Sequence, residues 1–153
     1  MVINSKKIKL NNSGFTLLEL LLSIALLAII AGIGIPIYHS LQTKNNLDVA
    51  VVTIVQDLRR AQIAARASDG DTSWGVYIQS DSITFYQGSS YGSRNTSYDE
   101  IADLPTNITP SGLSDIVFSK FTGLPQLTGT ITLTLDVSNV KNIVINSKGM
   151  ISY

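Results

Sequence analysis

The feature that most constrains this chain is an unbroken apolar segment close to its beginning. Between Leu20 and Thr43 the sequence contains no Asp, Glu, Lys or Arg. As a helix rising about 1.5 Å per residue, the stretch from Leu20 to Ile37 is long enough to cross most of a bilayer core of roughly 30 Å. A helix on the surface of a globular core would carry a polar stripe, and none is present before Gly32. The segment therefore predicts a transmembrane helix.

The residues before this segment are polar and basic. Lys6, Lys7 and Lys9 lie on its N-terminal side, and such a flank is expected to stay in the cytoplasm while the remainder of the chain is exported. A secretory signal peptide is the competing interpretation, but its apolar region usually spans only about 7 to 15 residues. Glu19 also argues against it, because a carboxylate at bilayer depth costs about 2.5 to 3.5 kcal/mol. Glu19 is therefore predicted to be functional, the alternative being a position at headgroup level.

The composition excludes several classes of function. The chain has 11 basic and 11 acidic residues, so bulk electrostatics do not favour binding to a polyphosphate. Removal of residues 1–14 would take away three lysines and leave a net charge of −3. The sequence has no cysteine, which rules out disulfides, thiolate metal sites and a cysteine nucleophile.

A second helical pattern follows the apolar segment. Apolar residues recur every three or four positions, while charged residues occupy much of the remaining surface. The apolar set is Leu47, Val51, Ile54, Leu58, Ala61 and Ala65. One helix is therefore predicted from about Phe15 to Ala67, with a kink or locally melted stretch at the Gly32–Pro36 sequence GIGIP.

The pattern after Asp71 is that of β-strands. Residues 74–78 and 82–86 predict a hairpin, and further strands are predicted at 116–121, 130–137 and 142–146, before the closing MISY. Residues 87–115 are rich in Gly, Ser, Asn, Pro and Asp and predict a long loop or a poorly ordered insertion. Thr and aliphatic residues alternate in the strand at 130–137, which predicts one sheet with one buried face, covered by the amphipathic helix.

The expected fold class is therefore α+β. A long N-terminal α-helix, half transmembrane and half amphipathic, packs on a C-terminal antiparallel β-sheet domain. The predicted segments are a leader at 1–14, a transmembrane and assembly half of the helix at 15–38, an amphipathic half at 39–68 and a β-rich globular domain at 69–153.

The sequence SGFTLLELLL, from Ser13 to Leu22, resembles the processing site of type IV prepilins and type II secretion pseudopilins. The resemblance implies that a prepilin peptidase cuts after Gly14 and that Phe15 becomes the N-methylated terminus. It also implies roles in assembly for Glu19, the family's acidic residue, for Thr16, and for Pro36, which lies with Tyr38 where the family commonly has Pro and Tyr. The globular part more weakly resembles GspH/FimT-like minor pilins and pseudopilins.

The resemblance also implies partners and locations. The partners are the prepilin peptidase, other pilin subunits in a homo- or hetero-filament, an inner-membrane assembly platform and, before assembly, the membrane. The chain would first be a single-pass protein of the cytoplasmic membrane with its globular domain outside the cytoplasm. It would then join an extracellular pilus or a periplasmic pseudopilus.

Other polar residues are more simply explained without chemistry. His39 is the only histidine and cannot form a catalytic dyad or a metal cage alone, so it is expected at the membrane interface. The acidic groups Asp99, Glu100 and Asp103, and Asp69 with Asp71, match no known calcium loop and are expected in solvated loops. We therefore expect no catalytic residue, metal or cofactor, and the chain is not expected to be an enzyme.

Two other function classes stay open. The chain could be a minor pilin whose globular domain binds DNA or a surface, with Arg59, Arg60 and Arg66 as phosphate contacts, although these arginines alternate with acids. It could also be a singly anchored exported protein, an enzyme included, whose resemblance to prepilins at its start is due to chance. The leading hypothesis is a structural filament subunit, and the sequence does not distinguish a pilus from a secretion pseudopilus or a major from a minor subunit.

Overall fold

The computed structural model describes residues 14–153, except that the side chains of residues 33–41 and 43 are not described. The predicted leader therefore lies outside the described residues as far as residue 13, as do the side chains of Pro36, Tyr38 and His39. The chain divides into two compact units, residues 1–40 and residues 41–153. The helix α1 runs from Leu17 to Ala67 and contributes to both units. The helix α1 runs through GIGIP without a break, so the locally melted stretch is not seen there, whereas the kink stays a prediction.

In the second unit, α1 presents the predicted apolar face to the core. Leu47, Val51, Ile54, Leu58, Ala61 and Ala65 are all buried. The helix ends where Ser68 adopts a left-handed conformation, with φ of 55°. The Ser68 N–H donates to the Ala65 carbonyl over 3.1 Å, and a short 3-10 turn follows at Asp69–Asp71. The predicted helix end is therefore confirmed.

Within residues 14–153, eight strands form two antiparallel sheets. The first sheet has the order β3-β2-β1-β5, and the second has the order β4-β6-β7-β8. Their bounds are β1 Trp74–Ile78, β2 Ser82–Gln87, β3 Asn95–Asp103, β4 Thr109–Gly112, β5 Asp115–Phe118, β6 Gly129–Asp136, β7 Asn139–Ile145 and β8 Ile151–Ser152. The prediction of one sheet was wrong, although the α+β class is confirmed.

The two sheets and the helix share one core. The first sheet contributes residues such as Val76, Phe85 and Phe118, and the second contributes Ile131 and Ile143 among others. The alternation of Thr and aliphatic residues in β6 was predicted to give one buried face, and this is confirmed, because Ile131 and Leu133 are buried between more exposed threonines. The strand predicted at 116–121 ends earlier, at Phe118, because the chain turns at Phe121 with φ of 66°.

The prediction of a long loop at residues 87–115 was also wrong. This stretch contains β3, β4 and a 3-10 turn at Tyr91–Ser93. The Tyr91 ring stacks on Tyr77 with 3.9 Å between centroids, and the Arg94 guanidinium lies 3.7 Å from the Tyr91 ring centroid. These contacts place the turn over the outer face of the first sheet, where Tyr86 is fully buried. The polar composition of residues 87–115 therefore gave no indication that Tyr91 packs this turn onto the sheet.

Candidate assembly segment

The predicted scissile bond lies just outside the helix. Gly14, Phe15 and Thr16 have no regular secondary structure and are exposed, and α1 begins at Leu17. A Cβ atom added at Gly14 would meet nothing within 4 Å, so the described fold does not itself require glycine at this position. The Phe15 side chain is 79% exposed. A peptidase would therefore find the Gly14–Phe15 bond in an accessible, non-helical stretch.

Thr16 and Glu19 define the first turn of the helix. The Thr16 hydroxyl oxygen accepts a hydrogen bond from the Glu19 N–H over 3.2 Å, and the Thr16 carbonyl accepts one from the Leu20 N–H over 3.1 Å. Thr16 is thus the N-cap, and Glu19 is the third helical residue, as in the T-x-x-E capping pattern. A carboxylate here also compensates the positive end of the helix dipole. The sequence pattern could have revealed this capping role, which the resemblance alone did not supply.

The helix that follows is apolar on all sides. The large apolar residues from Leu17 to Ile30 are between 52% and 78% exposed in the isolated chain. They are Leu17, Leu18, Leu20, Leu21, Leu22, Ile24, Leu26, Leu27, Ile29 and Ile30. The one hydroxyl of this stretch, on Ser23, donates a hydrogen bond to the Glu19 carbonyl over 2.7 Å. The Ser23 hydroxyl therefore has a partner without needing a water molecule. A surface of this kind requires lipid or other apolar helices around it.

Several of the acidic side chains considered as cation ligands form ion pairs with basic residues. Arg60 donates to both carboxylate oxygens of Glu100 over 2.8 and 2.9 Å and also pairs with Asp57. Asp99 accepts from Arg94 over 2.8 Å. In residues 14–153, apart from the undescribed side chains, no group of three His, Cys, Asp or Glu residues is arranged to hold a metal.

Burial affects the protonation of one carboxylate in this network. The pKa of Asp57 is raised, mainly because burial penalises its charged form, while the neighbouring Arg60 opposes that effect. The pKa of Arg60 is raised by its hydrogen bond to Glu100. The Arg60 guanidinium also lies 4.4 Å from the Phe85 ring centroid. Arg60 is therefore engaged within the fold, which does not favour its predicted alternative role as a DNA phosphate contact.

The predicted site residues fall into two groups. Gly14, Phe15, Thr16 and Glu19 lie together around the helix start. Pro36 belongs to α1, but its side chain lies outside the described residues. Among the residues that the structure describes, no helix is both long and apolar enough to span a membrane.

Comparison with known proteins gives a match near the beginning of the chain. Residues 9–35 match the model of the prokaryotic N-terminal methylation motif. The match supports a type IV pilin-like prepilin, that is, a structural subunit of a pilus or pseudopilus, and implies a membrane-anchored or secreted protein. Neither the curated proteins nor the solved structures gave a match to this chain.

Proposed function

We propose that the chain is the precursor of a subunit of a type IV pilus or type II secretion pseudopilus, cleaved after Gly14 and N-methylated at Phe15. The observation that carries the proposal is the helix from Leu17 to Ile30, which apart from Glu19 and Ser23 is apolar on every side and begins two residues after the scissile bond. In a membrane such a helix is covered by lipid. In a filament it is covered by the same helices of neighbouring subunits, so one surface suits both environments.

Before cleavage, the chain is anchored by a single pass through the cytoplasmic membrane. The basic leader stays on the cytoplasmic side, where the prepilin peptidase and the inner-membrane assembly platform act on the anchored subunit. Cleavage removes Lys6, Lys7 and Lys9, which otherwise hold the helix start at the interface. The globular domain lies outside the cytoplasm, and assembly carries it into an extracellular pilus or a periplasmic pseudopilus. The β-rich domain supports a GspH/FimT-like subtype.

Cleavage also creates a charge that needs a partner. The new ammonium group of Phe15 lies at the positive end of the helix dipole, so its own helix disfavours it. Glu19 of a neighbouring subunit can compensate it, since opposite charges 4 Å apart attract by about 4 kcal/mol at an effective dielectric constant of 20. Desolvation offsets much of this gain, but an unpaired charge in the same place costs about 3 to 5 kcal/mol. The pair therefore selects the correct axial register between subunits.

Maturation is tested by replacing Gly14 with Val in the full chain. Because nothing in the described fold contacts a Cβ at this position, the variant should fold normally and remain uncut. Mass spectrometry of the membrane fraction should show the mature N-methylated Phe15 terminus in the wild type and an intact leader in Gly14→Val. A wild-type chain that keeps residue 1, or that is cut beyond Gly32, would contradict the proposal.

Assembly is tested separately by Glu19→Gln, which keeps the size of the side chain and removes its charge. The expected product is a correctly processed subunit whose filament yield is lower than that of the wild type by a factor of about ten or greater, since the charge pair between subunits is lost. Ser23→Ala serves as the matched control, because it changes a polar side chain of the same exposed helix without removing a charge. Equal filament yields from Glu19→Gln and Ser23→Ala would refute the pairing.

A further inference from the structure

The hairpin between β6 and β7 lies beside the beginning of the helix in the unit formed by residues 41–153. Lys141 of β7 pairs with Asp48 of α1 over 2.9 Å, so the strand lies beside the first turns of this part of the helix. The last turn of the helix is contacted by a different loop, in which the Phe121 N–H donates to the Ala65 carbonyl over 3.0 Å. Asp48 and Ala65 are about 25 Å apart along the helix. The hairpin and the loop therefore mark opposite ends of this unit.

The hairpin end carries a rigid apolar side chain. Val137 is 100% exposed at the turn between the two strands. The Asp136 carboxylate accepts hydrogen bonds from the Ser138 and Asn139 N–H groups over 2.8 and 2.9 Å and from the Asn139 side-chain amide. These bonds lower the pKa of Asp136, with the Asn139 amide as the main cause, so the turn holds a fixed negative charge beside Val137. We call residues 136–139 the Val137 tip.

The opposite end carries three exposed apolar side chains on two loops. Phe121, Leu124 and Met150 are 69%, 43% and 64% exposed. Gln62 of α1 joins the loops, because its side-chain amide donates to the Gly123 carbonyl over 3.0 Å and to the Gly149 carbonyl over 2.9 Å. Phe121 is displayed from a left-handed conformation that bulky residues rarely adopt. We call Phe121, Leu124 and Met150 the loop patch.

The loop patch is bordered by basic side chains, whereas the Val137 tip carries the Asp136 carboxylate, with Lys44 of α1 nearby. Arg66, Lys120 and Lys148 lie on or next to the two loops, and Lys120 pairs with Asp71. Within the described part of the chain, Arg66 and Lys148 make no ion pair. The loop patch is thus an apolar surface bordered by free positive charge. The Val137 tip, an apolar side chain beside a carboxylate, is complementary to it.

We propose that the Val137 tip of one copy of this chain docks on the loop patch of a second copy. The contact joins two different surfaces at opposite ends of the same unit, so it can repeat from copy to copy, as an open filament requires. This inference rests on the proposed function as a filament subunit. It adds a specific contact between globular domains to the packing of the apolar helices.

Cysteine cross-linking tests the contact directly, because the wild-type chain has no cysteine. The full-length chain carrying both Val137→Cys and Met150→Cys is assembled in the producing cells and treated with a short bifunctional maleimide. Each copy then offers one thiol to the copy on either side, so a ladder of dimers, trimers and longer species is expected. Either single variant should stay monomeric. The matched control combines Met150→Cys with Ile101→Cys on the exposed strand β3 and should give no ladder.

Variants with introduced charges test the same contact through the filament yield. Val137→Lys places a positive charge against the loop patch and should lower the filament yield about tenfold, equivalent to about 1.4 kcal/mol per contact. Met150→Glu should weaken assembly in the same way. The double variant should restore most of the yield, because the introduced lysine of one copy would meet the introduced glutamate of the next. Val144→Lys, at another exposed position of β7, should have little effect.

The outcomes separate this inference from the proposed function. Filaments of processed subunits that show no ladder, and that tolerate Val137→Lys as well as Val144→Lys, would overturn the docking contact alone. Efficient dimers from the single Val137→Cys variant would also overturn it, since they require like surfaces to meet. A chain that is neither cleaved at Gly14 nor found in any filament would overturn both.

Discussion

The hydrogen bond between Tyr86 and Asp115 should be the most sensitive polar contact of the globular unit. The Tyr86 hydroxyl donates to one Asp115 carboxylate oxygen over 2.5 Å, and the Tyr91 N–H donates to the other over 3.2 Å. Tyr86 is fully buried. Tyr86→Phe removes the hydroxyl without changing the packing of the ring, so the perturbation isolates one hydrogen bond to a charged acceptor.

The expected cost follows from the type of bond that is lost. A hydrogen bond to a charged group contributes about 1.5 to 3 kcal/mol to stability, more than the roughly 1 kcal/mol of a neutral one. In Tyr86→Phe the Asp115 carboxylate keeps its hydrogen bond from the Tyr91 N–H, so the cost of losing one of its two donors is reduced. Tyr86→Phe should therefore lower the free energy of unfolding by about 2 kcal/mol.

The single tryptophan gives a suitable assay. Trp74 lies buried in β1 and stacks on Phe85 with 4.9 Å between centroids, so its fluorescence reports on the first sheet. Urea unfolding of the full-length chain in detergent micelles should shift to a lower midpoint in Tyr86→Phe. Tyr153→Phe, which removes a hydroxyl from an exposed ring, should leave the midpoint unchanged. A difference below about 0.5 kcal/mol between these variants would refute the assigned strength.

The same pair predicts a change in alkaline stability. Burial, assisted by Asp115, raises the pKa of the Tyr86 phenol above its ordinary value. The folded chain thus keeps this proton at a pH where the unfolded chain loses it, so stability falls as pH rises above about 10. The slope from one such group is about 1.4 kcal/mol per pH unit. Tyr86→Phe should remove this contribution to the pH dependence of the free energy of unfolding. The same slope above pH 10 in wild type and variant would contradict the assignment.

Three further substitutions test other parts of the fold. Gly75→Ala should destabilise the chain by about 1 to 3 kcal/mol in urea unfolding, because the added Cβ would lie 2.5 Å from Cζ of Tyr86; an unchanged midpoint would contradict this. Phe121→Gly should raise stability by up to about 1 kcal/mol, since glycine accepts the left-handed conformation without strain, while it lowers the filament yield; a loss of stability would show that Phe121 supports the loop. Tyr91→Ala should increase amide hydrogen exchange in residues 88–94 but not in β1, and equal exchange in wild type and variant would show that another contact orders this turn.

The sequence predicted the helix well because one simple pattern governs it. Burial at every third or fourth residue from Leu47 to Ala65 required only that one face of the helix meet a core. The hairpin of β1 and β2 was predicted correctly for a similar reason, since Ile78 and Ile83 pair across a short turn. Local periodicity is sufficient wherever the neighbours of an element are close in sequence.

The remaining strands were less predictable because their neighbours are distant. β3 is an edge strand with mostly exposed residues, so it lacks the alternation that marks a half-buried strand. The order of the turn before it depends on Tyr91 reaching Tyr77 and Asp115, and local composition does not encode such contacts. At the assembly segment, the residues were predictable from the resemblance, whereas the capping bond from Glu19 to Thr16 required the T-x-x-E pattern to be considered.

The order of the strands has a consequence for how the globular unit folds. β4 joins the second sheet before β5 returns to the edge of the first, so the chain visits each sheet before the other is complete. Neither sheet can be finished as a contiguous piece of chain, and both need the same stretch of helix. We therefore expect the unit to unfold in one cooperative step. The fluorescence of Trp74, which lies in the first sheet, should then report the unfolding of β6–β8 in the second sheet as well as the unfolding of its own sheet.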